Sequence, residues 1–287
     1  MDQFVILCFT VVNSVALLVL VSLGLAVIFG MMRVINFAHG EFIMLGGYTT
    51  VIATHAGINL WLSMLIVAPI VVGLIGAVVE RLIIRRLYGH LVTTMLATWG
   101  LSLFLIGVVT AIFGNTTMGV SAPLGNIPVG AYSIGAYQLL LSAITALLVV
   151  CSLLALRWTK YGLIARAAIQ NSEMAATLGI NCDRAYAATF IVGAAISGLA
   201  GALLAPISGV LPHMGSAYVA RAFVTVISGG GALITGFLSA AAILGPVEAL
   251  LSYFATPVVG QASLLLLAVI ILRLLPTGVS SLWTGAR

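Results

Sequence analysis

Three segments of this 287-residue chain carry residue types able to do chemistry. The first reads Arg33-Val34-Ile35-Asn36-Phe37-Ala38-His39-Gly40-Glu41 and falls between two apolar runs. Asn36, His39 and Glu41 are costly in lipid and are expected to face a cavity, a partner group or water. Gly40 permits a local break in a helix, and Gly46 and Gly47 on the following turns allow close helix approach. Broken helices offer free N–H and C=O groups to a transport path. The plainer alternative is a turn between two spans, with Asn36 as a helix cap and Glu41 in the first turn. His39-x-Glu41 also matches half of a zinc-deaminase signature, but the Pro-Cys-x-x-Cys half is absent from the chain.

The second segment, 165–182, centres on Asn171-Ser172-Glu173-Met174-Ala175-Ala176-Thr177-Leu178-Gly179-Ile180. Asn171 suits an N-cap, Glu173 the acid-favouring first turn, and Gly179 a left-handed C′ position followed by apolar Ile180. The spacing predicts a short helix over about 172–178, with Ser172, Ala175 and Ala176 forming a small-residue face able to lie in a groove on another protein. The alternative is a helix resting on a membrane surface. The third segment, 228–231, is glycine-rich, but no Gly-Lys-Ser/Thr follows it and neither Asp nor Lys lies nearby. Close helix packing or a re-entrant tip therefore fits it better than a phosphate cradle.

No enzyme signature accompanies these segments. Walker A, Gly-x-Ser-x-Gly and His-Glu-x-x-His patterns are missing, as are closely paired acids, so no catalytic residue, metal ligand or cofactor is expected. If ATP drives this protein, another subunit must hydrolyse it. Cys8, Cys151 and Cys182 are scattered and have no metal or disulfide spacing.

The elements that must position these residues follow from composition. Apolar residues make up 62% of the chain and charged ones only 6%, against roughly a quarter in soluble domains. The surroundings must therefore be apolar, and only helices or closed barrels satisfy the backbone there. The apolar runs at 17–28, 62–79 and 139–156 are long and do not alternate, which selects helices. The expected fold is an all-α polytopic transmembrane bundle of about eight spans, near 5–31, 41–57, 60–80, 94–113, 136–156, 186–207, 231–252 and 258–275. A stretch at about 217–228 is too short to cross and reads as a half-helix. Asp2 without an early Lys or Arg argues against a cleaved signal, so the first run is expected to remain as a span.

The net charge of +5 would suggest nucleic acid on a soluble protein, but here it reads as topology. Arg81, Arg85 and Arg86 form one cluster, and Arg157, Lys160, Arg166 and Arg184 a second, two spans later. With both inside, Arg33, Arg273 and Arg287 also fall inside and Arg221 alone dissents. The N-terminus is then outside, the C-terminus cytoplasmic, and the Lys- and Arg-free, turn-rich segment 114–135 outside. No loop is large enough for a separate domain, so residues 1–287 are expected to form one membrane domain in contact with lipid, with a cytoplasmic loop over about 157–185. Apart from Glu41, Glu248 and Glu80 the spans hold few ionisable groups, and no acid–base relay is evident.

Two of these segments carry a resemblance. Gly24-Leu25-Ala26-Val27-Ile28-Phe29-Gly30, Val34 through Phe42, and Met44-Leu45-Gly46-Gly47-Tyr48 resemble the opening signature of the branched-chain amino acid ABC transporter permeases of LivH type. Arg166-Ala167 through Asn171, then Glu173-Met174-Ala175-Ala176-x-Leu178-Gly179-Ile180, is similar to the loop by which ABC importer permeases dock on their ATPase. The glycine-rich 228–233 followed by Gly236 is a third match, and the resemblance runs from about residue 15 to 278. It implies an ATP-driven, binding-protein-dependent importer of branched-chain or other hydrophobic amino acids, working by alternating access in the bacterial inner membrane. The implied partners are a second, LivM-type permease, two cytosolic ATPase subunits and a periplasmic solute-binding protein. It implies that Asn171, Glu173, Ala175, Ala176, Leu178, Gly179 and Ile180 form the ATPase-coupling helix. Asn36, His39, Gly40 and Glu41 become a broken-helix element near the translocation path. One departure is Arg33, where family members often carry Gly. The competing readings are a stand-alone channel for urea or another small polar solute, the permease of a urea or amide importer, and a proton-coupled carrier.

Overall fold

The computed structural model describes residues 2–129, 132–230 and 233–281. Gly231 of the glycine-rich segment and Arg287 of the charge count lie outside the described residues. The chain is helical, as its apolar runs require. In order come α1 (Asp2–Met32), α2 (His39–His55), α3 (Leu60–Leu82), α4 (Leu91–Phe113), β1 (Asn126–Val129), β2 (Tyr132–Gly135), α5 (Ala136–Trp158), α6 (Lys160–Gln170), α7 (Ser172–Thr177), α8 (Cys182–Ser208), α9 (Met214–Gly229), α10 (Leu233–Phe254) and α11 (Pro257–Leu274). Seven of these are long and apolar enough to span a membrane. The eighth expected span is α2, whose 17 residues reach about 26 Å, just under the ~30 Å hydrocarbon core. The half-helix expected at 217–228 lies within the 16-residue α9.

Two compact units emerge. One comprises residues 23–121 and 151–220. Its centre is α8, whose buried face is built of small residues, Gly193, Ala194, Ser197, Gly198, Gly201, Ala202 and Ala205. Such a face lets α2 and α3 approach backbone to backbone. A Cβ on Gly201 would overlap the Ile43 carbonyl of α2. Phe42 meets Phe190 edge to face in the same interface, with ring centres 5.9 Å apart. Near its start α3 contains a π turn, Ser63–Val67, where the Ala68 N–H reaches the Ser63 carbonyl. Pro69 follows at once, and the wider turn absorbs its missing N–H and its ring.

The other unit comprises residues 1–22, 122–150 and 221–287. There α10 and α11 form an antiparallel pair. Arg221 of α9 and Glu248 of α10 form an ion pair at 3.4 Å, with side chains 22% and 9% exposed. The chain after α11 returns to the end of α9, where Val279 N–H donates to the Ser228 carbonyl at 2.9 Å and Ser280 N–H to that of Gly229 at 3.2 Å. The segment expected to be a turn-rich loop holds a β-hairpin in this unit, pairing Ile127 with Ile134 and Val129 with Tyr132. Its alternating β-formers had been masked by the surrounding Gly and Pro.

Candidate functional site

Local chemistry accounts for the loop between α5 and α8. Thr159 caps α6, its hydroxyl oxygen accepting from Gly162 N–H at 3.0 Å. The inward residues of α6, Ala165 and Ala168, pack on Met31 at the end of α1, with Ile169, Cys182, Ala185 and Tyr186 around them. Asn171 then caps α7, its Oδ1 accepting from Met174 N–H at 2.9 Å. The helix ends after six residues in a paired motif: Ile180 N–H donates to the Ala175 carbonyl at 3.1 Å and Gly179 N–H to the Ala176 carbonyl at 3.0 Å. That motif needs a left-handed residue at C′, and Gly179 supplies it with φ +84°. Asn181 caps the next helix at once, accepting from Arg184 N–H at 3.0 Å.

The seven residues singled out for coupling therefore lie on one rigidly terminated element, but they do not all face outward. Ala175 is 3% exposed and anchors α7 to its own chain. Asn171, Glu173, Ala176, Leu178 and Gly179 are exposed, and Ile180 is half-buried. Met174 and Leu178, one turn apart, are 61% and 77% exposed. The exposed face is thus more apolar than a small-residue reading suggests. Met174 was not singled out from the sequence, although its apolar spacing to Leu178 in a polar loop was the available signal.

The break between α1 and α2 is the second candidate. Arg33 ends α1 at φ 51°, its N–H donating to the Phe29 carbonyl at 2.8 Å. This left-handed conformation is disfavoured for a residue with a side chain and would cost Gly nothing. Asn36 folds back to accept from Ala38 N–H at 3.1 Å, and its carbonyl accepts from His39 N–H at 3.2 Å. Thr98 of α4 accepts from Phe37 N–H at 3.1 Å. His39 Nδ1 lies 3.1 Å from the Ser197 hydroxyl of α8. The same hydroxyl lies 2.7 Å from the Gly193 carbonyl, to which it donates. Glu41 hydrogen-bonds Ser102 of α4.

Asn36 and His39 are fully buried and Glu41 is 2% exposed, with Gly40 closed in against the Gly215 carbonyl. The four residues come together, but as an enclosed polar cluster in this conformation. Asn36 Nδ2 and Glu41 Oε2 find no partner among the described residues. The hydroxyl partners Thr98, Ser102 and Ser197 were not anticipated, because nothing in a single sequence marks which distant helix faces a break. Among the described residues no three His, Cys, Asp or Glu side chains converge into a metal-ligand set. What the two sites offer is mechanical: one is a short, firmly capped helix with an exposed apolar pair, and the other holds helices around a bend.

The family described as the permease component of the branched-chain amino acid transport system matches residues 7–274. The chain is 31% identical to the high-affinity branched-chain amino acid transport system permease protein LivH of Salmonella typhimurium, over 97% of this chain and 96% of that one. It is 29% identical to the probable LivH permease of Methanocaldococcus jannaschii, over 86% and 81% of the two chains. It is also 29% identical to the BraD permease of Pseudomonas aeruginosa, over 80% of each. No solved structure matches.

Proposed function

Because the chain belongs to the family of branched-chain amino acid transport permeases, we propose that it is a membrane-spanning subunit of an ATP-driven importer of branched-chain or other hydrophobic amino acids. It is a multi-pass membrane transporter subunit rather than an enzyme. The ATP is hydrolysed elsewhere, by two cytosolic subunits, since this sequence has no Walker A motif. A second permease completes the path, and a periplasmic binding protein delivers the solute to outer segments that include 114–135. In the bacterial inner membrane the N-terminus lies outside and the C-terminus inside, with α9 returning the chain to the cytoplasmic side between α8 and α10, and this arrangement puts ten of eleven Lys and Arg on the cytoplasmic side.

One observation carries the coupling role. The short helix α7 is capped at both ends, anchored by Ala175, and presents Met174 and Leu178 outward from a basic loop. An apolar pair on a rigid helix is suited to a groove on another protein. When the ATPase pair closes, α7 is displaced, and α6 and α8 carry that displacement into the bundle. The buried cluster of Asn36, His39, Gly40 and Glu41 stands beside the translocation path and holds the bend that the motion works on.

The test is reconstitution into proteoliposomes. This chain alone should import nothing, whereas the complex with its permease partner, ATPases and binding protein should import branched-chain amino acids in step with ATP hydrolysis. Gly179→Arg, whose side chain points into open space, should leave assembly intact while hydrolysis no longer drives import. Uptake by the isolated chain would establish a channel instead. Uptake abolished by collapsing the proton gradient would establish a secondary carrier. Normal import by Gly179→Arg would remove α7 from the mechanism.

A further inference from the structure

The segment between α3 and α4 holds a second set of contacts that reach the start of α8. Its single 3₁₀ turn, Ile84–Leu87, is seated by Ile84, which is fully buried beside Val79 of α3 and Phe190 of α8. Tyr88 follows, partly buried in the same cluster. Its hydroxyl donates to Glu80 Oε1 at 2.5 Å, and Glu80 is 4% exposed. Its ring meets Tyr186 of α8 edge to face, with centres 5.4 Å apart at 73°. Burial first, and then the hydrogen bond to Glu80, push the Tyr88 phenol above its ordinary range, so it remains a donor at neutral pH. A third link, Arg85 to Asp183 at 3.6 Å, is about half exposed at both ends and weak.

These contacts sit where α7 feeds into the bundle. Four residues separate the end of α7 from Cys182, the first residue of α8. Asp183 and Tyr186 lie in the opening turns of that helix. Tyr186 also borders the cluster in which α6 packs on Met31. A push on α7 is therefore received by the opening turns of α8, and the aromatic pair and the buried hydrogen bond fasten those turns to the end of α3.

We propose that Tyr88 is a positioning residue for coupling: through its edge contact with Tyr186 and its hydrogen bond to Glu80 it makes the opening turns of α8 and the end of α3 move as one body when α7 is displaced. This rests on α7 being the element that docks on the ATPase. Its chemistry differs from the docking surface, because neither Tyr88 nor Glu80 needs to touch a partner subunit.

The experiment uses the complete complex in proteoliposomes and reads amino acid imported per ATP hydrolysed. Tyr88→Phe keeps the ring and removes the donor. It should lower the ratio by roughly threefold to tenfold, the effect of losing one net hydrogen bond. Glu80→Leu should lower it equally, Glu80→Gln should restore it because an amide oxygen still accepts, and the double variant Tyr88→Phe/Glu80→Leu should be no worse than either alone. A purely structural role would reduce import and hydrolysis in proportion and leave the ratio unchanged, and that result overturns the proposal. So does a Tyr88→Phe complex with the ratio of the unaltered one. If Gly179→Arg uncouples while Tyr88→Phe does not, the Tyr88 link falls and the docking reading stands. If Gly179→Arg couples normally, the docking reading itself fails.

Discussion

Replacing Gly179 with Ala and with Asn separates two explanations of why this position matters. Gly179 has φ +84°, and a Cβ built there meets nothing within 4 Å. Size is therefore irrelevant to the fold, and the penalty is one of backbone conformation. A left-handed residue with a side chain costs about 1–2 kcal/mol, of which ~0.4–1 kcal/mol is offset because Ala restricts the unfolded chain. The net loss of about 1 kcal/mol equals what the Asn171 cap contributes at the other end, and α7 has only six residues over which to absorb it. At about 1.4 kcal/mol per tenfold, the equilibrium constant for the correctly terminated helix falls roughly fivefold. Gly179→Ala should lower amino acid imported per ATP hydrolysed by up to about that factor. Asn visits the left-handed region far more readily and should lower it by no more than about twofold. Both variants should elute as the unaltered complex does in detergent gel filtration. If the position mattered as contact surface, the order would reverse, because Asn is the larger side chain. A harmless Ala beside a damaging Asn would refute the conformational argument.

Two further predictions concern stability in detergent. Gly201→Ala should lower the thermal midpoint, since its Cβ would overlap the Ile43 carbonyl and force α2 from α8 at a cost of about 1–3 kcal/mol; Gly100→Ala, in open space on a helix, should not lower it. Glu248→Leu should destabilise by about 3–5 kcal/mol because it strands the Arg221 guanidinium, and the double variant Arg221→Met/Glu248→Leu should recover most of that loss; chemical unfolding in mixed micelles measures both, and equal damage in the single and double variants would show that charge pairing is not the cause.

Much of this was legible in the residues. Long apolar runs without alternation require helices in lipid, and the structure is helical throughout the spans. The ends of α7 were legible because caps are local: Asn171 answers its own helix's N–H, and Gly179 answers its own backbone angle. Arg33 was legible only as the polar end of an apolar run; its left-handed angle needed the structure, since Arg does not favour that region. What could not be read is what depends on distant partners. His39 announces a need for a hydrogen bond but not that Ser197, 158 residues away, meets it. Ala175 and Ala176 are the same residue type, and only packing against the rest of the chain turns one inward and leaves the other exposed. The π turn ahead of Pro69 was hidden for a related reason: proline forbids the ordinary bond without specifying the repair.

The distribution of buried acids follows from the same physics. Apolar side chains hold helices poorly in register when the solvent is itself apolar, so register must come from close backbone contact and from polar pairs. Glu41, Glu80 and Glu248 are all buried, and each has a different class of partner: the Ser102 hydroxyl, the Tyr88 phenol and the Arg221 guanidinium. Ser102 and Arg221 belong to other helices and Tyr88 to the segment that follows α3, so each pair fixes one part of the chain against another. Two of the three partners are hydroxyls and only one is a cation. A chain with only six acids can therefore fix its helices without a charge relay. Substituting a partner such as Ser102 or Tyr88 should alter how helices move together before it alters whether they fold.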